Sequence, residues 1–209
     1  MMKKKPILFN KVKQKDKSRI TIGIVGTHSG VGVTYTSLML AFYLGDELGK
    51  KTALLEVNNH DDLNILQTAY QWSAEDNHSF SFGYITCYKK VTKKLLVELL
   101  NDNYERFILD FGWDLSNNRD EFLRCTTKII VGSHAVWNLY KLKQFIKSVE
   151  HIRGNETWLY LIPGGEEKAI SLLRKELNRH IYGIPLERDP IMLSRESLKL
   201  FSSLFNPRT

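Results

Sequence analysis

The sequence predicts an α/β protein built on a mostly parallel sheet with helices on both faces. From residue 20 onward, short apolar runs rich in β-branched residues alternate with segments of helical period, and no internal repeat or low-complexity stretch interrupts that order. Several runs lack polar alternation, which marks strands buried on both faces, as crossover helices leave them in a parallel sheet. With 209 residues, 43% of them hydrophobic, the chain is long enough for one such domain with a substantial core.

In chain order, strands are predicted at residues 20–25, 52–57, 84–87, 106–110, 128–131, 158–162 and, on a weaker pattern, 181–184. Helices are predicted between them at 34–48, 91–100, 135–152, 166–179 and 193–205, each with a polar opposite face. The first helix carries Leu38, Ala41, Phe42 and Leu48 at helical spacing and stops at Gly49, a residue suited to the left-handed turn that ends helices. Ser133 stands where it can cap the helix at 135–152, and Trp137, Tyr140 and Phe145 on that helix read as core. Trp113, just after the strand at 106–110, reads as core, or as an anchor for a partner. Asp114 and Asp120 read as helix-capping or solvated acids. Pro163-Gly164-Gly165 follows a strand at the carboxyl edge of the sheet, where such folds bind ligands and where a plain strand-to-helix turn fits equally well.

The net charge of +7 is unevenly spread. Residues 1–19 hold eight Lys/Arg against one Asp, and the remainder holds 22 of each sign, so the excess lies in a tail that is expected to be disordered. Such a tail either docks on anionic lipid or nucleic acid, each Lys near a charged bilayer contributing roughly 1 kcal/mol, or is a solvated leader. Residues 6–9, Pro-Ile-Leu-Phe, are too short for the apolar region of a secretory signal, and no stretch reaches the length of a membrane span. Cys87 and Cys125 lie far apart with no ligand spacing, and the six histidines are scattered. A reduced, cytoplasmic protein without a metal of its own is the expectation.

The chemistry concentrates in residues 20–37, ITIGIVGTHSGVGVTYTS. A strand, a glycine-rich turn and a helix form the frame of a phosphate-binding loop. The Walker pattern G-x-x-x-x-G-K-[ST] lets backbone N–H groups wrap phosphate oxygens, with a lysine for the β/γ-phosphates and a Ser/Thr for Mg²⁺. Here Gly30-Val31-Gly32-Val33-Thr34 puts Val33 where the lysine belongs and keeps Thr34. A tight turn kept without a ligand is the alternative reading of the same residues.

With these elements placed, residues 19–205 resemble the bacterial ParA/MinD family of P-loop ATPases at four stations. Thr27-His28-Ser29-Gly30-Val31-Gly32-Val33-Thr34-Tyr35 lies over the family's loop K-G-G-x-G-K-[ST]-[ST] without a gap, with His28 in place of the signature lysine and Val33 in place of the P-loop lysine. The segment from Leu48 to Asn58 is similar to G-K-K-V-L-L-I-D-x-D, with Glu56 at the first Asp and Asn58 at the second, which in the family helps position the attacking water. Phe107-Ile108-Leu109-Asp110 is similar to the Walker B strand, whose Asp binds the Mg²⁺ shell through water. Residues 182–190 are similar to the G-x-I-P-x-D segment close to the adenine, with Pro185 in its place.

The resemblance implies a three-layer P-loop NTPase fold over residues 20–209 and ATP or ADP with Mg²⁺ as ligand. Thr27 to Tyr35, Asp110 and Pro185 are then the nucleotide-binding residues, and Thr34 and Asp110 hold the nucleotide's Mg²⁺. Losing the ammonium at Val33 removes a charge-assisted bond worth about 1.5–3 kcal/mol, and Asn58 lacks the charge to polarise water. The expectation is weak nucleotide binding with little or no hydrolysis, in a switch or positioning protein. A pseudo-ATPase adaptor that binds protein and no nucleotide is the alternative. A metabolic enzyme of the related synthetase or reductase type is disfavoured, because the chain lacks a second substrate domain and cysteine ligands for a cluster. His28 substitutes for a cross-dimer lysine only when protonated, below a pKa near about 6.5; an exposed loop histidine is the simpler reading.

Partners implied by the resemblance are a protein, a second copy in a homodimer, and membrane or DNA. The family's membrane-targeting helix, where present, follows the last core element, so the sequence ending at 205–209 leads us to expect no C-terminal anchor. A peripheral membrane or DNA contact then falls to the lysines of residues 3–19. Deleting residues 1–18 is expected to abolish sedimentation with anionic vesicles; undiminished sedimentation would exclude the tail as the contact.

Overall fold

The computed structural model describes residues 19–205. Eight strands form one sheet: β1 (Ile20–Gly26), β2 (Thr52–Glu56), β3 (Ser79–Phe82), β4 (Ile85–Tyr88), β5 (Arg106–Asp110), β6 (Thr127–Val131), β7 (Leu159–Pro163) and β8 (His180–Ile184). Their order is β3-β4-β2-β5-β1-β6-β7-β8, parallel throughout except for the antiparallel β3–β4 pair at one edge. The helices are α1 (Val33–Phe42), α2 (Asp62–Ala69), α3 (Lys93–Leu100), α4 (Arg119–Arg124), α5 (Val136–Val149), α6 (Glu167–Leu177) and α7 (Arg195–Phe205). Among the described residues no helix is long and apolar enough to cross a membrane. The expectation of a disordered, lipid- or DNA-binding tail falls on residues 1–18 and lies outside the described residues.

The strands read as continuous apolar runs because successive side chains serve opposite faces of the sheet. Leu54, Ile108 and Ile129 pack with α1, α2 and α7, whereas Ala53, Leu55, Phe107, Leu109 and Ile130 pack with the layer of α3, α4, α5 and α6. The result is the expected three-layer α/β fold. On the first face Phe201 of α7 is fully buried, its ring 5.6 Å from that of Tyr43; burying a phenylalanine contributes about 1.5–3 kcal/mol.

The structure adds three elements to those predicted. α4 is only six residues long and α2 buries one side chain, so neither shows a readable helical period, whereas β3, Ser-Phe-Ser-Phe, does alternate and escaped the sequence reading as a four-residue run. The first helix runs as α through Phe42 and then as a π-helical stretch at Tyr43–Glu47, where the Leu48 N–H donates to Tyr43 O at 3.1 Å. It ends, as expected, at Gly49, whose φ is 60°.

Two readings on α5 are corrected. Ser133 does not cap the helix, because Ala135 holds the N-cap position and Ser133 Oγ instead accepts the Ala135 N–H at 3.2 Å. Trp137 and Tyr140 are not core. They are 75% and 54% exposed, since the buried stripe is Leu142, Ile146 and Val149, and positions two and five residues before Leu142 face away from it. Phe145 is half-buried and does pack against that core.

The tightest backbone approach in the sheet is at Gly183 in β8. A Cβ there would lie 2.0 Å from the carbonyl oxygen of Gly165, which belongs to the turn between β7 and α6. Backbone cannot yield as a flexible side chain does. Gly183→Ala is therefore expected to destabilise the protein by about 1–3 kcal/mol, read as a lower urea midpoint with unchanged slope; an unchanged midpoint would contradict this packing.

Candidate functional site

The loop joining β1 to α1 lies at the carboxyl edge of the sheet and opens into a cleft of about 610 Å³. Gly30 and Gly32 take φ values of 74° and 97°, a left-handed backbone that side chains resist and that wraps the chain back on itself. At the ends of the loop the Thr27 N–H donates to Val131 O at 2.9 Å and the Thr36 N–H to Gly32 O at 3.0 Å. Between them, among the described residues, no backbone N–H of residues 28–35 meets a protein acceptor with hydrogen-bond geometry. All eight residues that carry those groups line the cleft. Unpaired N–H groups at a loop and helix N-terminus make a concavity of positive potential suited to an anion.

No lysine or arginine joins them among the described residues lining the cleft. Val33 is 7% exposed and packs inward, in the space that a Cβ on Gly26 would need, 2.7 Å from that point. The position that carries an ammonium in the Walker pattern is thus a piece of hydrophobic core. His28 lies on the cleft with its Nδ1 2.9 Å from Thr27 Oγ1. Burial first, and then the positive charge of Lys141 on α5, hold its pKa below the ordinary 6.5. At neutral pH it is an uncharged imidazole, not a substitute lysine.

Acidic groups gather on the other side of the loop. The Thr34 hydroxyl donates to Asp62 Oδ2 at 3.1 Å. Asp110 is buried; its Oδ1 accepts the Gly112 N–H and the Asn58 Nδ2–H, both at 2.9 Å, while its Oδ2 has no partner. Burial pushes the Asp110 pKa from 3.8 up to about 6; the Gly112 N–H and the nearby Thr34 hydroxyl oppose this, and the negative charges of Glu56 and Asp62 add to it. Asn58 is committed in turn, since its Oδ1 accepts the His60 N–H at 2.9 Å. Glu56, at the family's first Asp, is buried and accepts the N–H groups of Leu63 and Lys90, both at 3.2 Å, which fastens the start of α2 to the exit of β4.

The residues present fit a Mg²⁺ ion carried by nucleotide. The orphaned Asp110 Oδ2 is a buried acceptor in want of a donor or cation, and the Thr34 hydroxyl is close by. Among the described residues no group of three or more His, Cys, Asp or Glu side chains is arranged to hold a metal by itself.

Of the residues that line the cleft, His60, Asp62, Ile65, Leu66, Tyr70 and Gly112 escaped the sequence reading, Trp113 and Pro190 did not, and two expected binding residues, Pro185 and the buried Asp110, do not line it. Trp113 is 47% exposed at this mouth, which corrects its reading as core. Asp61-Asp62 ahead of Leu63 and Leu66 is a helix-start signal that could have pointed to α2. The loop after β8 is brought to the cleft by Tyr35, whose hydroxyl accepts the Glu187 N–H at 2.6 Å and donates to Glu187 O at 3.0 Å.

The Asp110 shift fixes a pH dependence. A folded pKa of about 6 above an ordinary 3.8 means that the folded state binds more protons between those values, so stability falls as pH rises from about 4 to 6 and then levels. Without nucleotide or Mg²⁺, Asp110→Asn is expected to match the wild type at pH 4 and to exceed it at pH 7 by about 2–3 kcal/mol in urea unfolding. A pH-independent gap would contradict the assignment.

No protein-family model matches this chain, and no curated protein matches it. Solved structures do. A Borrelia burgdorferi plasmid partition protein bound to AMPPNP superposes with a TM-score of 0.63 at 14% identity, covering 89% of this chain and 96% of that one. A ParA family ATPase from Chlorobium tepidum gives 0.62 at 13% identity over 92% and 94% of the two chains, and the Aquifex aeolicus cell division protein MinD gives 0.61 at 17% over 81% and 83%. This chain therefore has the P-loop NTPase fold in its ParA/MinD form.

Proposed function

We propose that this protein is a nucleotide-binding switch or positioning protein that takes ATP or ADP with Mg²⁺ through backbone contacts and turns it over slowly or not at all. The observation that carries this reading is the run of unpaired N–H groups at residues 28–35 lining one cleft. Donors of this kind are met by water or by a ligand, and their convergence on one cleft suits an anion. Hydrolysis needs charge on the β/γ-phosphates neutralised and a water aligned. Among the described residues no lysine or arginine lines the cleft, and Asn58 spends its amide on Asp110 and His60. The related folds crystallised with AMPPNP, in the Borrelia protein, and with GTP and Mg²⁺, in FlhF, are consistent with such a ligand.

A second reading, an adaptor that binds protein alone, is favoured by an exposed apolar rim along the carboxyl edge of the sheet, of which Ile65 and Trp113 line the cleft. Ile65, Trp113, Val136, Trp137, Tyr140, Leu186 and Met192 are exposed, and all lie on connections that leave the carboxyl ends of strands. Such a rim suits a protein partner or a second copy in either reading. MinD of Aquifex aeolicus has been crystallised in complex with MinC, a precedent for a partner on this fold.

Calorimetric titration with Mg-ATP and Mg-ADP separates the two. Saturable heat is expected from the wild type and its loss from Thr34→Ala and from Gly32→Glu, which forces a charged side chain onto a left-handed position. No heat at millimolar nucleotide would end the switch reading in favour of the adaptor.

A further inference from the structure

The wall of the cleft formed by α2 buries little side-chain surface and is held mainly by polar contacts. Of its eight residues only Leu63 is buried, and Ile65 points to solvent. The helix is bracketed by Asp61 and Gln71, two non-glycine residues with φ of 64° and 55°. Left-handed backbone of this kind persists only where the surroundings enforce it, and it gathers at segments that switch. Immediately inside the brackets sit two side chains that tie the helix across the cleft, in addition to Glu56, which accepts the Leu63 N–H, and Lys89, which donates to Gln67 Oε1 at 2.8 Å. Asp62 accepts the Thr34 hydroxyl at 3.1 Å, and the Tyr70 hydroxyl donates to Asp189 Oδ1 at 2.5 Å. An ion pair from Lys90 to Asp61, 3.1 Å long, steadies the first bracket.

The first of these fastenings has an electrostatic consequence. Asp62 lines the same cleft as the unpaired N–H groups, and no lysine or arginine lines that cleft among the described residues. Its carboxylate also occupies the hydroxyl that the Walker pattern reserves for Mg²⁺. An entering phosphate thus meets a like charge already seated on Thr34.

We propose that α2 is an autoinhibitory strap: Asp62 closes it over the phosphate loop through Thr34, and an anion enters only when that contact yields and the strap turns about Asp61 and Gln71. Displacement frees the Thr34 hydroxyl and takes the opposing charge away in one movement, while Tyr70–Asp189 sets how readily the far end follows. The inference rests on the reading that the loop binds phosphate.

The test is titration of Mg-ATP and of pyrophosphate into the full chain, as wild type, Asp62→Asn and Tyr70→Phe, each checked by thermal melting. Asp62→Asn keeps an oxygen for the Thr34 hydroxyl and removes only the charge. It is expected to bind both probes about tenfold more tightly, and Tyr70→Phe, which leaves Asp62 and the loop intact, about threefold. Hydrogen exchange without ligand is expected to quicken at residues 62–72 in Tyr70→Phe. Binding by the wild type with no gain in either variant would overturn the strap and leave the nucleotide reading standing. A gain in Asp62→Asn with none in Tyr70→Phe and no quickened exchange would overturn the strap, leaving only the charge of Asp62 opposing the anion. No binding by any of the three would overturn both.

Discussion

The seating of Val33 against Gly26 governs the rest of the site. With a hydrocarbon in place of an ammonium, the side chain turns into the core and fills the gap left by the missing Cβ of Gly26. That contact holds the turn between β1 and α1 from beneath, as packing, and leaves the cleft side of the loop to the backbone. Dipoles of peptide N–H groups, with the N-terminal end of α1, then supply the positive potential there. The loop keeps its shape without keeping the charge that makes such loops efficient catalysts.

The acidic side of the cleft is arranged around that deficit. Glu56, Asp62 and Asp110 influence one another, yet each has a different commitment: Glu56 caps the start of α2, Asp62 takes the Thr34 hydroxyl, and Asp110 is held by Gly112 and Asn58. Asn58 matters because it is neutral. Its amide donates to the Asp110 carboxylate at 2.9 Å, where an aspartate would place a second negative charge against a buried one.

The same edge of the sheet carries the exposed apolar residues. Parallel strands deliver their following connections to one side of the molecule, so Ile65, Trp113, Trp137, Leu186 and Met192 lie on four connections that leave the same edge, and the first two line the cleft. The cleft and these exposed residues are therefore neighbours by topology, and Ile65 of α2 belongs to both.

The sequence by itself determined the α/β class, seven of the eight strands, the major helices and the glycine-rich loop after β1, because each rests on local period or on glycines within a few residues of one another. It also determined the loss of both lysines, which is a matter of identity alone. A short element such as α4 was not legible, since six residues carry too little periodicity. What only the tertiary structure decided is how distant residues meet. Asp62 reaches Thr34 across 28 positions and Tyr70 reaches Asp189 across 119, and no spacing rule connects them. The exposure of Trp137 and Trp113 was likewise undetermined, because an aromatic residue on a helix or loop serves a core or a surface according to which neighbours the sheet brings against it, and that depends on strand order.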